Sequence, residues 1–212
     1  MLGRLVEVVS GQSLEAFFTE RIFRPLGMTD TTFGCPEESH ERLAALYTRP
    51  AGRAQTIRVD ALGRLAMKKP GWLSGGGGLV SSTRDYTRFT WMLLQGGALD
   101  GVRLLSPRTV RYMTRNHLPG NADLATFGRP LFAETRFDGV GFGLGFAVVM
   151  DPVAYRTLTS PGEYHWGGMA STTFWVDPAE RLTVVFMTQL MPSSTFPLRT
   201  QLRQLVYQSL VD

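Results

Sequence analysis

Apolar positions recur at helical spacing in the first part of the chain. Leu5, Val8 and Val9 mark one face of a helix over residues 2–9, until Gly11 breaks the pattern. Ser13 then caps a second helix whose Leu14, Phe17, Phe18 and Ile22 share a face, and Pro25 is expected to stop it. Ser82 with Asp85 forms a Ser-x-x-Asp capping signal for a third helix, which continues through Phe89 and Leu93 to Gly96-Gly97. Ser106-Pro107 opens a fourth, with Val110 and Met113 on one side. Between these, residues 37–69 have mixed polarity and predict irregular surface structure with short strands, a substrate-side lobe in which nothing specifies chemistry. Residues 118–139, rich in Gly, Pro and Asp, read as loop.

Beyond Gly141 the patterning turns to strands. Gly141–Met150 reads as one strand, and two more are predicted near Thr172–Val176 and Leu182–Thr188, joined by the turn Asp177-Pro178-Ala179-Glu180. Thr183–Met187 is nearly all apolar, which predicts a strand buried on both faces in mid-sheet. Leu198, Leu202, Leu205 and Val206 then give an amphipathic helix packed on that sheet. The expected fold is α/β (α+β), an antiparallel sheet flanked by helices. No repeat or low-complexity linker divides it, so 1–212 reads as one domain, with a helical and loop-rich portion over 1–140 and strands plus the C-terminal helix over 141–212.

Composition narrows the function classes. The 212 residues are 43% hydrophobic, enough for a core, and no run approaches the roughly 18 apolar residues of a membrane span. A net charge of +4 would suggest nucleic acid if it were concentrated, but the basic residues are spread singly from Arg4 to Arg203. All of them except Lys68 and Lys69 are arginine, a bias we read as GC-rich codon usage. No nucleic-acid partner, metal or cofactor is expected. The single Cys35 excludes an internal disulfide, and as a nucleophile it would have only His40 nearby in sequence. The start Met1-Leu2-Gly3-Arg4-Leu5 is interrupted by charge, so a cytoplasmic location is expected for the chain as it stands. The four-glycine run Gly75–Gly78 lacks the Gly-Lys-Ser/Thr of a phosphate loop and reads instead as a tight turn or a close backbone approach.

The stretch Tyr164-His165-Trp166-Gly167-Gly168-Met169-Ala170-Ser171 carries the most chemistry. It resembles the third active-site box of the β-lactamase-related serine hydrolases: class C β-lactamases, penicillin-binding proteins and the carboxylesterases of that fold. Residues 3–33 and the element Gly77-Gly78-Leu79-Val80-Ser81-Ser82-Thr83-Arg84-Asp85, with Arg88 and Phe89, resemble the same family in order and spacing. The resemblance implies a serine activated by a lysine in a Ser-x-x-Lys box and assisted by a tyrosine box. Neither box is present. The residues three before Lys68 and Lys69 are Leu65 and Ala66, no tyrosine begins a Tyr-x-Asn, and Tyr207-Gln208-Ser209 is a formal Tyr-x-Ser on a helix.

By that resemblance Gly167 and Gly168 open the strand to substrate, the Met169 N–H is one oxyanion donor, and the missing serine supplies the other. Trp166 replaces the lysine of β-lactamases, which removes a partner for a β-lactam carboxylate and favours neutral esters. His165 either hydrogen-bonds substrate or packs. The expected function is the C-terminal segment of an esterase-like serine hydrolase, acting on a small-molecule ester or β-lactam once completed and inactive alone. The alternative is a non-catalytic binding or structural protein. No Gly-x-Ser-x-Gly elbow supports a different hydrolase class. Met1 would then be an internal start or a truncation edge, and apolar surface left uncovered would drive self-association.

Overall fold

The computed structural model describes residues 1–128 and 136–211. Its helices are α1 (Leu2–Ser10), α2 (Leu14–Phe18), α3 (Arg24–Leu26), α4 (Asp60–Gly63), α5 (Thr83–Leu94), α6 (Pro107–Met113), α7 (Leu124–Phe127), α8 (Pro152–Tyr155) and α9 (Leu198–Gln208). The strands are β1 (Thr32–Phe33), β2 (Tyr47–Thr48), β3 (Ile57–Arg58), β4 (Leu79–Val80), β5 (Ala98–Leu99), β6 (Val102–Arg103), β7 (Val140–Phe142), β8 (Ala147–Val149), β9 (Tyr164–Gly167), β10 (Thr173–Asp177), β11 (Leu182–Phe186) and β12 (Leu190–Met191). The fold is mixed α/β with antiparallel sheet at its centre.

The main sheet has the order β11-β10-β9-β8-β7, and every neighbouring pair is antiparallel. Alternation along each strand sends residues to two covered faces. Val148, Tyr164, Phe174 and Val176 face a core shared with Met92 and Leu93 of α5. On the opposite face Trp175, fully buried, stacks on Tyr207 of α9. Every residue of β10 is therefore buried. Deleting the Trp175 side chain would cost roughly 3–5 kcal/mol, the usual range for a large core aromatic.

The capped helices form where the serines predict them. The Ser13, Ser82 and Ser106 hydroxyls accept from the N–H groups of Ala16, Asp85 and Thr109. Asp85 goes further than the capping signal: its buried carboxylate accepts from the Asp30 N–H at 2.7 Å and the Thr31 hydroxyl at 2.8 Å, tying α5 to the segment after α3. The four-glycine run carries a bridge between Ser74 and Gly77, and Gly75 lies against the backbone of Gly3 on α1.

Four readings are corrected. Pro25 does not stop the helix, because a π turn over Thr19–Phe23, with the Arg24 N–H bonded to the Thr19 carbonyl, widens the chain just before the ring. The helical path ends at Leu26, with Gly27 in the left-handed region. Gly141–Met150 is not one strand but the hairpin β7–β8. It turns at Gly145, whose φ of 99° only glycine adopts readily. The apolar strand β11 is at the sheet edge and half-buried along its length; β10 holds the buried position expected of it. Helix α9 buries Arg203 and leaves Leu205 exposed. Part of the loop expected over 118–139 lies outside the described residues; the described part contains α7 and a short 3-10 turn at Pro119–Asn121. Among the described residues no helix is long and apolar enough to cross a membrane.

Candidate functional site

The box residues fall at the end of β9 and in the turn to β10. Gly168 N–H donates to the Thr172 carbonyl at 2.9 Å and Ser171 N–H to the Gly168 carbonyl at 3.1 Å, closing the turn without using the Met169 N–H. The turn is tied to β12: Leu190 N–H donates to the Ala170 carbonyl, and the buried Ser171 hydroxyl donates to the Leu190 carbonyl at 2.6 Å. β12 in turn pairs in parallel with β2, and β2 with β3. Residues 37–69 are thereby held beside the box.

Trp166, Gly167, Gly168, Met169 and His165 all border one cavity of about 560 Å³. Trp166 is 45% exposed and meets Phe142 edge-to-face at 5.3 Å, while Met169 is 68% exposed, so both side chains remain open to an incoming ligand. The two glycines have a role the sequence did not suggest. A Cβ on Gly167 would lie 2.5 Å from the Arg199 guanidinium, and one on Gly168 would lie 2.4 Å from the Thr172 hydroxyl. The missing side chains make room for the protein's own groups. Arg199 uses that room to donate to the Gly168 carbonyl at 2.7 Å and the Thr172 carbonyl at 3.1 Å, which fixes the turn from the α9 side.

His165 packs. Its ring is buried, stacks on Tyr155 and places Nδ1 at 2.9 Å from a Glu163 carboxylate oxygen. A carboxylate only accepts, so Nδ1 carries the proton of this bond. Burial lowers the ring's pKa and outweighs the opposing pull of Glu163. Glu163 is itself fully buried; burial pushes its carboxyl up, but the His165 hydrogen bond and the Arg203 guanidinium prevail and hold it at about 2. Arg203 donates to Glu163 and lies over the Trp175 ring at 4.7 Å. Thr159 also donates to Glu163, at 2.5 Å. The Tyr207 hydroxyl, set aside as a formal Tyr-x-Ser, reaches Asp177 at 2.6 Å.

Sequence reading missed Glu163, Arg199, Arg203 and the lobe residues Leu46, Val59 and Leu62 that line the cavity. Only Glu163 left a local signal, two residues before His165. Cys35 is buried with its thiol pKa raised by that burial, and His40 meets its backbone carbonyl rather than its sulfur, so the pair does not form a nucleophile.

The family model for β-lactamase matches residues 1–208, and the chain belongs to that family. Among its relatives are protein Rv1367c of Mycobacterium tuberculosis, 35% identical over 91% of this chain and 47% of its own length, and the esterase EstB of Burkholderia gladioli, 31% identical over 98% and 52%. The solved structure of EstCE1, a hydrolase with promiscuous acyltransferase activity, superimposes with a TM-score of 0.76 at 25% identity, covering 97% of this chain and 54% of that one. The chain spans about half the length of the curated relatives it matches.

Proposed function

We propose that the chain is the C-terminal segment of a β-lactamase-fold serine hydrolase of the carboxylesterase type, one incomplete domain that lacks the groups that start the reaction. In the completed enzyme a serine hydroxyl adds to the ester carbonyl, the alcohol leaves, and water releases the acyl group from the serine. The segment's part is to stabilise the oxyanion. An N–H at Met169 aimed at that oxygen is worth about 3–4 kcal/mol. The observation that carries the reading is the turn at Gly167–Met169, braced by Arg199 and β12 at the rim of a cavity, in a chain without a Ser-x-x-Lys. The likeness to the esterase EstB and to EstCE1, a hydrolase with promiscuous acyltransferase activity, supports esters over β-lactams. So does Trp166, an apolar ring where β-lactamases carry a cation. The second reading, a non-catalytic binding protein, shares the cavity but needs no serine.

The test is to join the chain to the upstream half of a related esterase and assay p-nitrophenyl ester hydrolysis. Recovered turnover, lost again when the supplied serine is changed to alanine, supports the hydrolase segment. No turnover from a folded fusion favours the binding protein. A covalent serine-hydrolase probe should leave the 212-residue chain unlabelled, and stoichiometric labelling of it would overturn the proposal.

A further inference from the structure

The cavity beside the box has apolar walls from two parts of the chain far apart in sequence. Leu46, Tyr47, Val59 and Leu62 come from the lobe, and Trp166 and Met191 from the sheet side. Its volume of about 560 Å³ falls within the roughly 300–1,000 Å³ of small-molecule sites. Three basic side chains also border it, and each is already engaged by the protein. Arg203 is paired with Glu163, Arg199 donates to the Gly168 and Thr172 carbonyls, and the buried His165 ring is bonded through Nδ1 to Glu163. A ligand charge would find these groups committed, whereas an apolar chain would find a continuous wall. The wall's position is fixed by main-chain bonds: the box turn is bonded to β12, β12 to β2, and the Tyr47 N–H to the Gln189 carbonyl.

We propose that this cavity seats the apolar, uncharged acyl chain of the substrate and that the lobe around Leu62 sets the chain length accepted. This rests on the esterase reading only in calling the chain an acyl group; the preference for a neutral apolar ligand stands on the cavity itself. Leu62 is half exposed, so enlarging it fills the cavity without disturbing a packed core.

The experiment uses the 212-residue chain and octanamide, a neutral, unreactive analogue of a medium-length acyl group, followed by amide chemical shifts. Octanamide should perturb Leu46, Leu62 and Met169 together, acetamide should not, and octanoate and octylammonium should bind more weakly than octanamide. Leu62→Trp should weaken octanamide at least ten-fold. Should that variant fail to fold, the ranking of the four probes on the unchanged chain still decides. Perturbations elsewhere, none at the solubility limit, or tighter binding of either charged probe would overturn the proposal. The two readings fail separately. Octanamide in the cavity with no turnover from the fusion removes the hydrolase and keeps the site. Turnover with equal kcat/KM for acetyl and octanoyl esters, unchanged by Leu62→Trp, does the reverse.

Discussion

Glu163 is a carboxylate without access to water, and its ionised state depends on a few named neighbours. Arg203 supplies the countercharge, while His165 and Thr159 supply hydrogen bonds. Removing one partner of such a buried pair leaves the other charge uncompensated, so Glu163→Gln should lower unfolding stability by about 3–5 kcal/mol, read as a shifted urea midpoint. The double change Glu163→Leu with Arg203→Met should cost much less, because both desolvation penalties disappear together. Acid provides a second readout. The carboxyl is held at about 2 against an ordinary 4.5, so its contribution is complete above pH 4.5 and is lost as pH falls toward 2. The His165 pKa is depressed below 6.5, so the unfolded chain takes up protons that the folded chain refuses, and stability begins to fall below about pH 6.5. Both effects run in the same direction. The melting temperature should drop on acidification in two stages, and the stage below pH 4.5 should be shallower in Glu163→Gln. An acid limb identical in the variant and the parent would show that the pair does not govern it.

Between β9 and β10 the geometry depends on one close approach. Gly167→Ala places a methyl where Arg199 sits, so the guanidinium must leave and its bonds to the Gly168 and Thr172 carbonyls are lost. The expected cost is about 1–3 kcal/mol for overpacking. It should be non-additive with Arg199→Ala in a double-mutant cycle, since the second change frees the space the first one needs. Strict additivity would mean that the clash with the Thr172 carbonyl, 2.8 Å from the added carbon, dominates instead. The same element shows what a sequence can reveal. Trp166-Gly167-Gly168 was legible as a box because its residue types are local, but the reason for the glycines was not, because Arg199 arrives from α9. Helix starts were legible at Ser13, Ser82 and Ser106, where the cap and the N–H that donates to it lie three residues apart. The β7–β8 hairpin was hidden because an apolar run at period two continues through a turn, and only the positive φ at Gly145 distinguishes the two cases. The apolar spacing in α9 located its inward side only in part: Leu198, Leu202 and Val206 are half-buried, Leu205 is exposed, and Arg203 turns inward to pair with Glu163. The cavity's far wall was illegible for a related reason: two-residue strands such as β2 and β3 have no period to detect, and their place is set by β12.

At the scale of the whole molecule, an apolar helix stripe and a sheet edge are left open among the described residues. On α1, Leu2, Leu5 and Val9 fall at i, i+3 and i+7 and are 77%, 56% and 80% exposed, forming a stripe that no described element covers. The sheet ends in β11, five residues without a charge, whose outer backbone edge pairs with no strand among the described residues. Each feature favours contact with a second copy. The stripe offers burial at about 25 cal/mol per Å² of apolar area, whereas the edge offers hydrogen bonds that add little net energy while water competes for them. The stripe should therefore dominate. Sedimentation velocity over a hundred-fold concentration range should show self-association of the unchanged chain, and Leu5→Glu with Val9→Glu should shift it toward monomer. These positions face solvent, so the variant should melt within about 0.5 kcal/mol of the parent in stability. A parent that sediments as a monomer at every concentration would show the stripe to be inert. Association undiminished in the variant would instead assign the contact to the β11 edge, where Val184→Lys would be the next substitution to reduce it.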